Sequence, residues 1–438
     1  MMTTAYAQLD AWIDAHFDEE VRFLQALVQV PTDTPPGNNT PHAQRTAALL
    51  QAFGWQAEAH EVPREAVQAY GMQSVTNLIV RRRYGAGPVV ALNAHGDVVP
   101  PGEGWTHDPY GGEIDHGRLY GRAAAVSKSD FASYAFAVRA LEAVALADAP
   151  AVAAASAAAG DAVAPSAGAS RSGHRLAGGV ELLFTYDEEF GGELGPGWLL
   201  DRGLTKPDYL VAAGFSYQVV TAHNGCLQLE VTVHGKMAHA AIPHTGVDAL
   251  QGATRILNAL YEQNQRYQSI TSAVQGITHP YLNVGRIEGG TNTNVVPGKV
   301  VLKLDRRMIP EEDPTEVEAD VRRVIAQAAA SMPGITVDIK RLLLAHAWKP
   351  DTRNAPLVQA IQRHGQEVFG QPIPTSGTPL YTDVRLFGAH GVPAVIYGAG
   401  PRTVLESNAK RADEHLVLED LRKATKVVAR TLFDILKG

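Results

Sequence analysis

The sequence predicts an α/β layered domain with a largely parallel sheet, interrupted by a smaller ferredoxin-like α+β domain. Three observations carry this prediction. Apolar strand-like runs alternate with helical patterns over residues 1–222 and again over 346–438, as expected of strands joined by crossover helices. Between them, residues 223–345 read strand, helix, strand, strand, helix, strand, the order of a two-layer ferredoxin-like sandwich. A chain of 438 residues also exceeds what one compact core serves, so two domains are expected.

Leu9, Trp12, Ile13, Phe17, Val21, Leu24, Leu27 and Val28 recur at helical spacing over 8–30, and Pro31 stops the run. A Pro-, Asn- and Gly-rich loop (34–41) leads to a second helix over 42–53, closed by Gly54. Strands are expected at 55–61, 76–83 and 88–94, then a helix at 129–146. Residues 147–179 are mostly Ala, Ser, Gly and Pro, too poor in large apolar side chains to offset ordering entropy. They read as an Ala-rich mobile insertion ahead of a strand at 180–186. Cys226 to His234 alternates, with Leu227, Leu229, Val231 and Val233 on one face, so one face of this strand is covered. A helix over 246–262, strands over 281–288 and 298–307, a helix over 314–331 and a strand over 335–343 complete the smaller domain. Beyond it come a helix at 355–369, a strand at 393–397 and a helix at 417–436.

Composition narrows the function. A formal net charge of -8 argues against a general nucleic-acid or acidic-membrane binder, since neither surface attracts a net anion. The single Cys226 excludes intrachain disulfides and thiolate metal clusters and fits a reducing compartment. Residues 1–20 mix apolar side chains with Asp and Glu and lack the basic start and apolar core of a signal peptide. No stretch has the uninterrupted apolar length that spans a bilayer. A cytoplasmic protein is expected, with neither nucleic acid nor membrane as a partner.

Two stretches carry chemistry. The run Ala94-His95-Gly96-Asp97-Val98-Val99-Pro100 closes an apolar strand in a His-Gly-Asp turn. Such a turn can present an imidazole to a metal while a carboxylate holds the ring's other nitrogen. The run Thr185-Tyr186-Asp187-Glu188-Glu189 ends the next apolar strand. Three adjacent carboxylates repel one another unless a cation sits among them, and two glutamates there can divide metal binding from deprotonation of water.

With Trp105-x-x-Asp108-Pro109, Gly117-Arg118-Leu119-Tyr120-Gly121-Arg122, Gly235-Lys236-Met237-Ala238-His239, Asn294-Val295-Val296-Pro297, Asp305-x-Arg307, Thr382-Asp383-x-Arg385 and Asp413-Glu414, these runs resemble a known family. It is the zinc peptidase and deacylase family of acetylornithine deacetylase, succinyl-diaminopimelate desuccinylase, aminoacylase and glutamate carboxypeptidase. The resemblance spans nearly the whole chain outside the Ala-rich stretch. It implies a catalytic α/β domain of the zinc-dependent exopeptidase type, with an inserted ferredoxin-like domain through which a homodimer forms. It implies that His95 binds one zinc, Asp97 orients His95, Glu188 is the general base and Glu189 binds the second zinc. His239 would stabilise the oxyanion, and Asn294 and Arg307 would hold the substrate's carboxylate. The substrate would be a small acylamino acid or peptide.

The departures are as informative. The positions where the resemblance implies a bridging aspartate, an acidic ligand and a last histidine fall on Val126, Phe215 and Lys410. Neither Val nor Phe offers a lone pair, and a catalytic zinc needs three protein ligands. An ammonium at roughly 4 Å and an effective dielectric of about 20 would repel a dication by about 8 kcal/mol. Asp130, His223, Glu406 and His415 are the nearest replacement ligands in sequence. Three readings therefore stand: an amide hydrolase with a depleted zinc or other divalent-metal site; a metal-free enzyme in which Lys410, with Lys128, supplies charge beside Glu188 and Glu189 and contacts the substrate; and a non-catalytic binder of acylamino acids.

Overall fold

Val89–His95, an apolar strand buried along almost its whole length, is a central strand of the larger unit's sheet. The computed structural model describes residues 2–145 and 175–438, so most of the stretch expected to be a mobile insertion lies outside the described residues. The larger unit comprises Met1–Val219, Asp351–Thr375 and Leu386–Gly438; the smaller comprises Val220–Pro350 and Ser376–Arg385.

In the larger unit the strands lie in the order Glu58–Glu61, Thr76–Arg83, Gly179–Thr185, Val89–His95, Tyr209–Ala212, Ala394–Ile396. The last four run parallel, so their C-terminal ends share one edge, while the first two are antiparallel additions. Buried on both faces, the parallel strands read as continuous Val/Leu/Ala runs rather than as alternation. Helices Met2–Val28, Lys128–Ala145 and Leu418–Leu436 pack together, burying Leu24, Leu27, Phe131, Phe136, Leu432 and Phe433. A small ribbon pairs His415–Val417 with Arg118–Tyr120, which brings the last third of the chain to the first.

The smaller unit is an antiparallel sheet in the order Tyr281–Gly289, Lys299–Met308, Gly225–His234, Thr336–Ala345. Helices Ala249–Tyr267 and Pro314–Ala330 bury Ile256, Leu260, Val321 and Ile325 with Leu227, Leu229, Val231 and Val233 of the sheet. Each helix starts where an aspartate caps it. Asp248 accepts from Leu250 and Gln251 N–H, and Asp313 from Thr315 and Glu316 N–H, satisfying donors that have no partner inside the helix. The Asp248 cap starts the first helix later than the expected 246, and its apolar face carries it on to Tyr267.

Two further differences from expectation are local. The strand expected over 55–61 begins only at Glu58, and Ser376–Arg385, expected in the larger domain, belongs to the smaller unit. No helix among the described residues is long and apolar enough to cross a membrane.

Candidate active site

The shared C-terminal edge of the parallel strands is where an open α/β sheet gathers functional groups. Val89–His95 delivers His95 and Asp97; Gly179–Thr185 delivers Asp187, Glu188 and Glu189; Tyr209–Ala212 leads to Phe215; and Ala394–Ile396 leads to the turn at Gly398–Gly400. Gly96 is required by crowding: a Cβ there would lie 2.4 Å from the Tyr186 ring.

His95, Asp97, Glu188, Glu189 and Lys410 converge. His95 Nε2 lies 4.0 Å from Glu188 Oε2. His95 Nδ1 lies 3.0 Å from the Asp97 carbonyl oxygen and 3.6 Å from its carboxylate. The Asp97 carboxylate, fully buried, instead accepts the N–H groups of Glu188 (3.2 Å) and Glu189 (3.0 Å). It thereby caps the 3-10 turn Glu188–Phe190 and fixes where both glutamates start, while the backbone carbonyl sits nearest the imidazole. Burial favours the neutral imidazole, but Glu188, Asp97 and Glu189 outweigh it and hold the His95 pKa at about 10.

Lys410 Nζ donates to Glu189 Oε2 at 2.8 Å; the lysine side chain is half exposed, at 49%, and that of Glu189 only 9%. Burial and Glu188 push the Glu189 carboxyl upward while Lys410 opposes them. Glu188, Glu189 and Asp97 keep Lys410 above its ordinary range despite burial of its stem. The loop carrying Lys410 has three non-glycine residues with left-handed backbone: Asn408 (φ 52), Lys410 (φ 62) and Asp413 (φ 55).

Residues not singled out for a role hold this frame. Glu414, 1% exposed, bonds Arg122 Nη1 at 2.6 Å, and its carboxylate accepts the N–H groups of Ala125 and Lys410. The Ser127 hydroxyl lies 3.0 Å from the His95 N and 2.8 Å from its carbonyl oxygen, tying the segment after Val126 to the strand end. Their signal was present in sequence only as flanking letters of the motifs, without a role attached.

Several expectations need correction. Asp187, the first of the three adjacent carboxylates, is buried and accepts from Leu194 N at 2.6 Å. Lys128 does not supply charge beside the glutamates. It is fully buried, donates to the Val30 carbonyl at 2.9 Å, and burial lowers its pKa to about 7 although Asp33 and Glu414 oppose this. Asp130 faces backbone, accepting Ala399 N at 2.6 Å, and its burial raises its pKa to about 7. A Cβ on Gly398 would fall 1.9 Å from Asp130 Oδ1, so the turn there must be glycine. His415 packs on Tyr120 with Nδ1 2.9 Å from the Asp413 carbonyl. Glu406 sits in an exposed turn capped by Thr403.

The remaining site residues lie in the smaller unit. His239 is exposed on a short ribbon that pairs Ala238–His239 with Val295–Val296, and Asn294 adjoins it, its carbonyl accepting from Ala240 N at 2.9 Å. Arg307 pairs with Asp305 at 2.7 Å, and its guanidinium lies 5.3 Å from the centre of the Tyr381 ring. His223 is buried with Nδ1 2.8 Å from the Asn224 carbonyl, and burial lowers its pKa to about 4.

A two-metal centre does not fit these side chains. Val126 and Phe215 carry no donor atom, and an ammonium already sits on Glu189. Among the described residues no group of three or more His, Cys, Asp or Glu is arranged to hold a metal ion.

Residues 91–156 match the family described as peptidase family M20/M25/M40, and residues 221–333 match the peptidase dimerisation domain. A succinyl-diaminopimelate desuccinylase of Methylobacterium nodulans is 26% identical, over 93% of this chain and 94% of its own length. Solved structures share the fold. An M20 family metallo-carboxypeptidase from Sulfolobus solfataricus has a TM-score of 0.73 at 18% identity, covering 95% of this chain and 100% of its own. A dinuclear metal-binding M20 peptidase from Bacillus subtilis has a TM-score of 0.65 at 17% identity, covering 97% and 99%. Matches in both units, joined by relatives that run along nearly the whole chain, lead to one conclusion: this chain is similar to peptidase family M20/M25/M40 over residues 91–156 and to the peptidase dimerisation domain over residues 221–333.

Proposed function

We propose that the protein hydrolyses the amide bond of an N-acyl amino acid or small peptide, with Glu188 as the general base. The observation that carries this reading is the Glu188 carboxylate beside His95, with 14% of its side chain exposed at the sheet's C-terminal edge. Glu188 takes a proton from water, the water oxygen bonds to the acyl carbon, and the C–N bond breaks as the leaving nitrogen receives that proton. His95, carrying a proton at neutral pH, offsets the charge of the base. From the family resemblance we assign the oxyanion contact to His239 and the carboxylate contacts to Asn294 and Arg307. On the same basis we propose a homodimer formed through the smaller unit, in the cytoplasm. The desuccinylase relatives make N-succinyl amino acids the first compounds to try.

The test is turnover of a panel of N-succinyl and N-acetyl amino acids and dipeptides, with and without added zinc, by wild type and Glu188→Gln. Hydrolysis that disappears in the variant is the expected result. Saturable binding of a panel member without turnover under any condition would replace this reading by that of a non-catalytic binder. The Lys410–Glu189 ion pair is the observation that favours that second reading.

A further inference from the structure

Glu189 is the most deeply held carboxylate of the Glu188–Glu189 pair. One oxygen takes the Lys410 ammonium at 2.8 Å, and the other is buried with no hydrogen-bond partner among the described residues. Without a cation it would stand charged against Glu188 and Asp97. We propose that Lys410 is the resident cation of this centre: its ammonium neutralises Glu189 in place of a divalent metal, and the centre takes none up. The family resemblance enters only in choosing which positions to compare. The inference does not depend on the chain being a hydrolase.

Three further observations support it. Lys410 is held in left-handed backbone, a conformation that persists in a non-glycine residue only when the surroundings fix it. Here they do: Glu414 accepts Lys410 N at 3.3 Å, Arg411 N donates to Asn408 O at 2.8 Å, and His415 N to Ser407 O at 3.0 Å. The backbone is thus built to bring this one side chain to Glu189. Val126 and Phe215 stand at two other positions where the resemblance implies ligands, and neither can bind a metal. Finally, the ammonium has three donors and uses one on Glu189, and its side chain is half exposed. A carbonyl or carboxylate oxygen of an acylamino acid or peptide can reach the other two without displacing the glutamate.

The experiment titrates zinc chloride alone into the purified full chain and follows thermal melting with zinc, with chelator and with neither. No saturable binding at micromolar zinc and three coincident melts are expected. Lys410→Met, neutral and of similar length, should lower the melting temperature by roughly 3–8 °C. Adding Glu189→Gln to it should recover most of that loss, and Lys410→Arg should melt as wild type. Saturable zinc uptake by wild type that Glu189→Gln removes would overturn the proposal, as would a Lys410→Met protein that melts unchanged. Should Lys410→Met not fold, the double variant decides: folding supports the pair, and failure to fold refutes it. None of these readouts requires turnover, so this inference and the proposed activity fail separately.

Discussion

Two cation–carboxylate pairs share one loop, Lys410 belonging to one and Glu414 to the other, and they differ in kind. Arg122 and Glu414 are 0% and 1% exposed, 2.6 Å apart. Most of their remaining atoms are committed: Arg122 also donates to the Pro101 carbonyl and lies 5.1 Å from the centre of the Trp105 ring, and Glu414 accepts two backbone N–H groups. Lys410 and Glu189 are 2.8 Å apart but keep capacity in reserve, an ammonium on a half-exposed side chain and a carboxylate oxygen with no partner among the described residues. In the sealed pair Arg122 Nε lacks a hydrogen-bond partner among the described residues, but neither side chain is open to a ligand. The open pair is. Burial and saturation together separate an ion pair that holds a loop from one that can meet a substrate.

The largest effect expected at the open side is on turnover rather than on folding. Glu188→Gln should lower hydrolysis of any accepted N-acyl amino acid by about 10²–10⁴-fold, as removal of a general base does, and leave the melting temperature unchanged. A drop in both would mean that Glu188 is part of the frame and would erase the distinction. At the sealed side the order reverses. Arg122→Met leaves Glu414 charged and buried, so a loss of about 3–5 kcal/mol in denaturant unfolding is expected, more than for Lys410→Met. Equal losses would break the comparison.

Conversion of the open pair sharpens it. The triple change Val126→Asp, Phe215→Glu, Lys410→His puts donor atoms at three positions and removes the ammonium. Zinc should then raise the melting point by the equivalent of about 2–4 kcal/mol at saturating metal, where wild type shows no shift. Glu20 supplies the smallest effect and a third case, a buried carboxyl with no cation paired to it among the described residues. Its Oε1 accepts the Thr425 hydroxyl at 2.6 Å, and burial raises its pKa to about 8 although that hydrogen bond opposes the shift. A carboxyl whose folded pKa is raised binds its proton more tightly folded than unfolded. Its stabilisation is therefore complete below the unfolded value near 4.5 and is lost as pH rises towards 8. Glu20→Gln should remove that slope, gaining on the order of 1–3 kcal/mol over wild type at pH 8 in a pH series of chemical melts. A parallel slope in both proteins would show that Glu20 does not titrate in this range.

Much of this organisation was legible in the sequence, and the reasons differ by element. The strand from Cys226 to His234 and the two helices of the smaller unit announce themselves because one face is apolar and the other is not. The strand Tyr209–Ala212 is four residues long, too short for any period to register, although it positions Phe215. The residue types of the site could be read where a strand ends in His-Gly-Asp or in consecutive carboxylates. Their partners could not. That the Asp97 carboxylate caps the turn of Glu188 and Glu189, with its backbone carbonyl nearest His95, depends on two strand ends meeting across the sheet. Lys128 and Lys410 look alike as letters beside motifs. Only the fold buries one against Val30 and sets the other on Glu189.

The partners of Glu189 and Arg122 lie 221 and 292 residues further along the chain. A ribosome therefore makes Glu189 long before Lys410, and Arg122 long before Glu414. During synthesis Asp97, Glu188 and Glu189 wait with only the neighbouring His95 to offset them, while the whole smaller unit and the helix Ala355–Phe369 are made. The sheet edge can settle only when the segment around Lys410 arrives. A message cut short before codon 410 would thus yield a chain with Asp97, Glu188 and Glu189 in place but neither Lys410 nor Glu414.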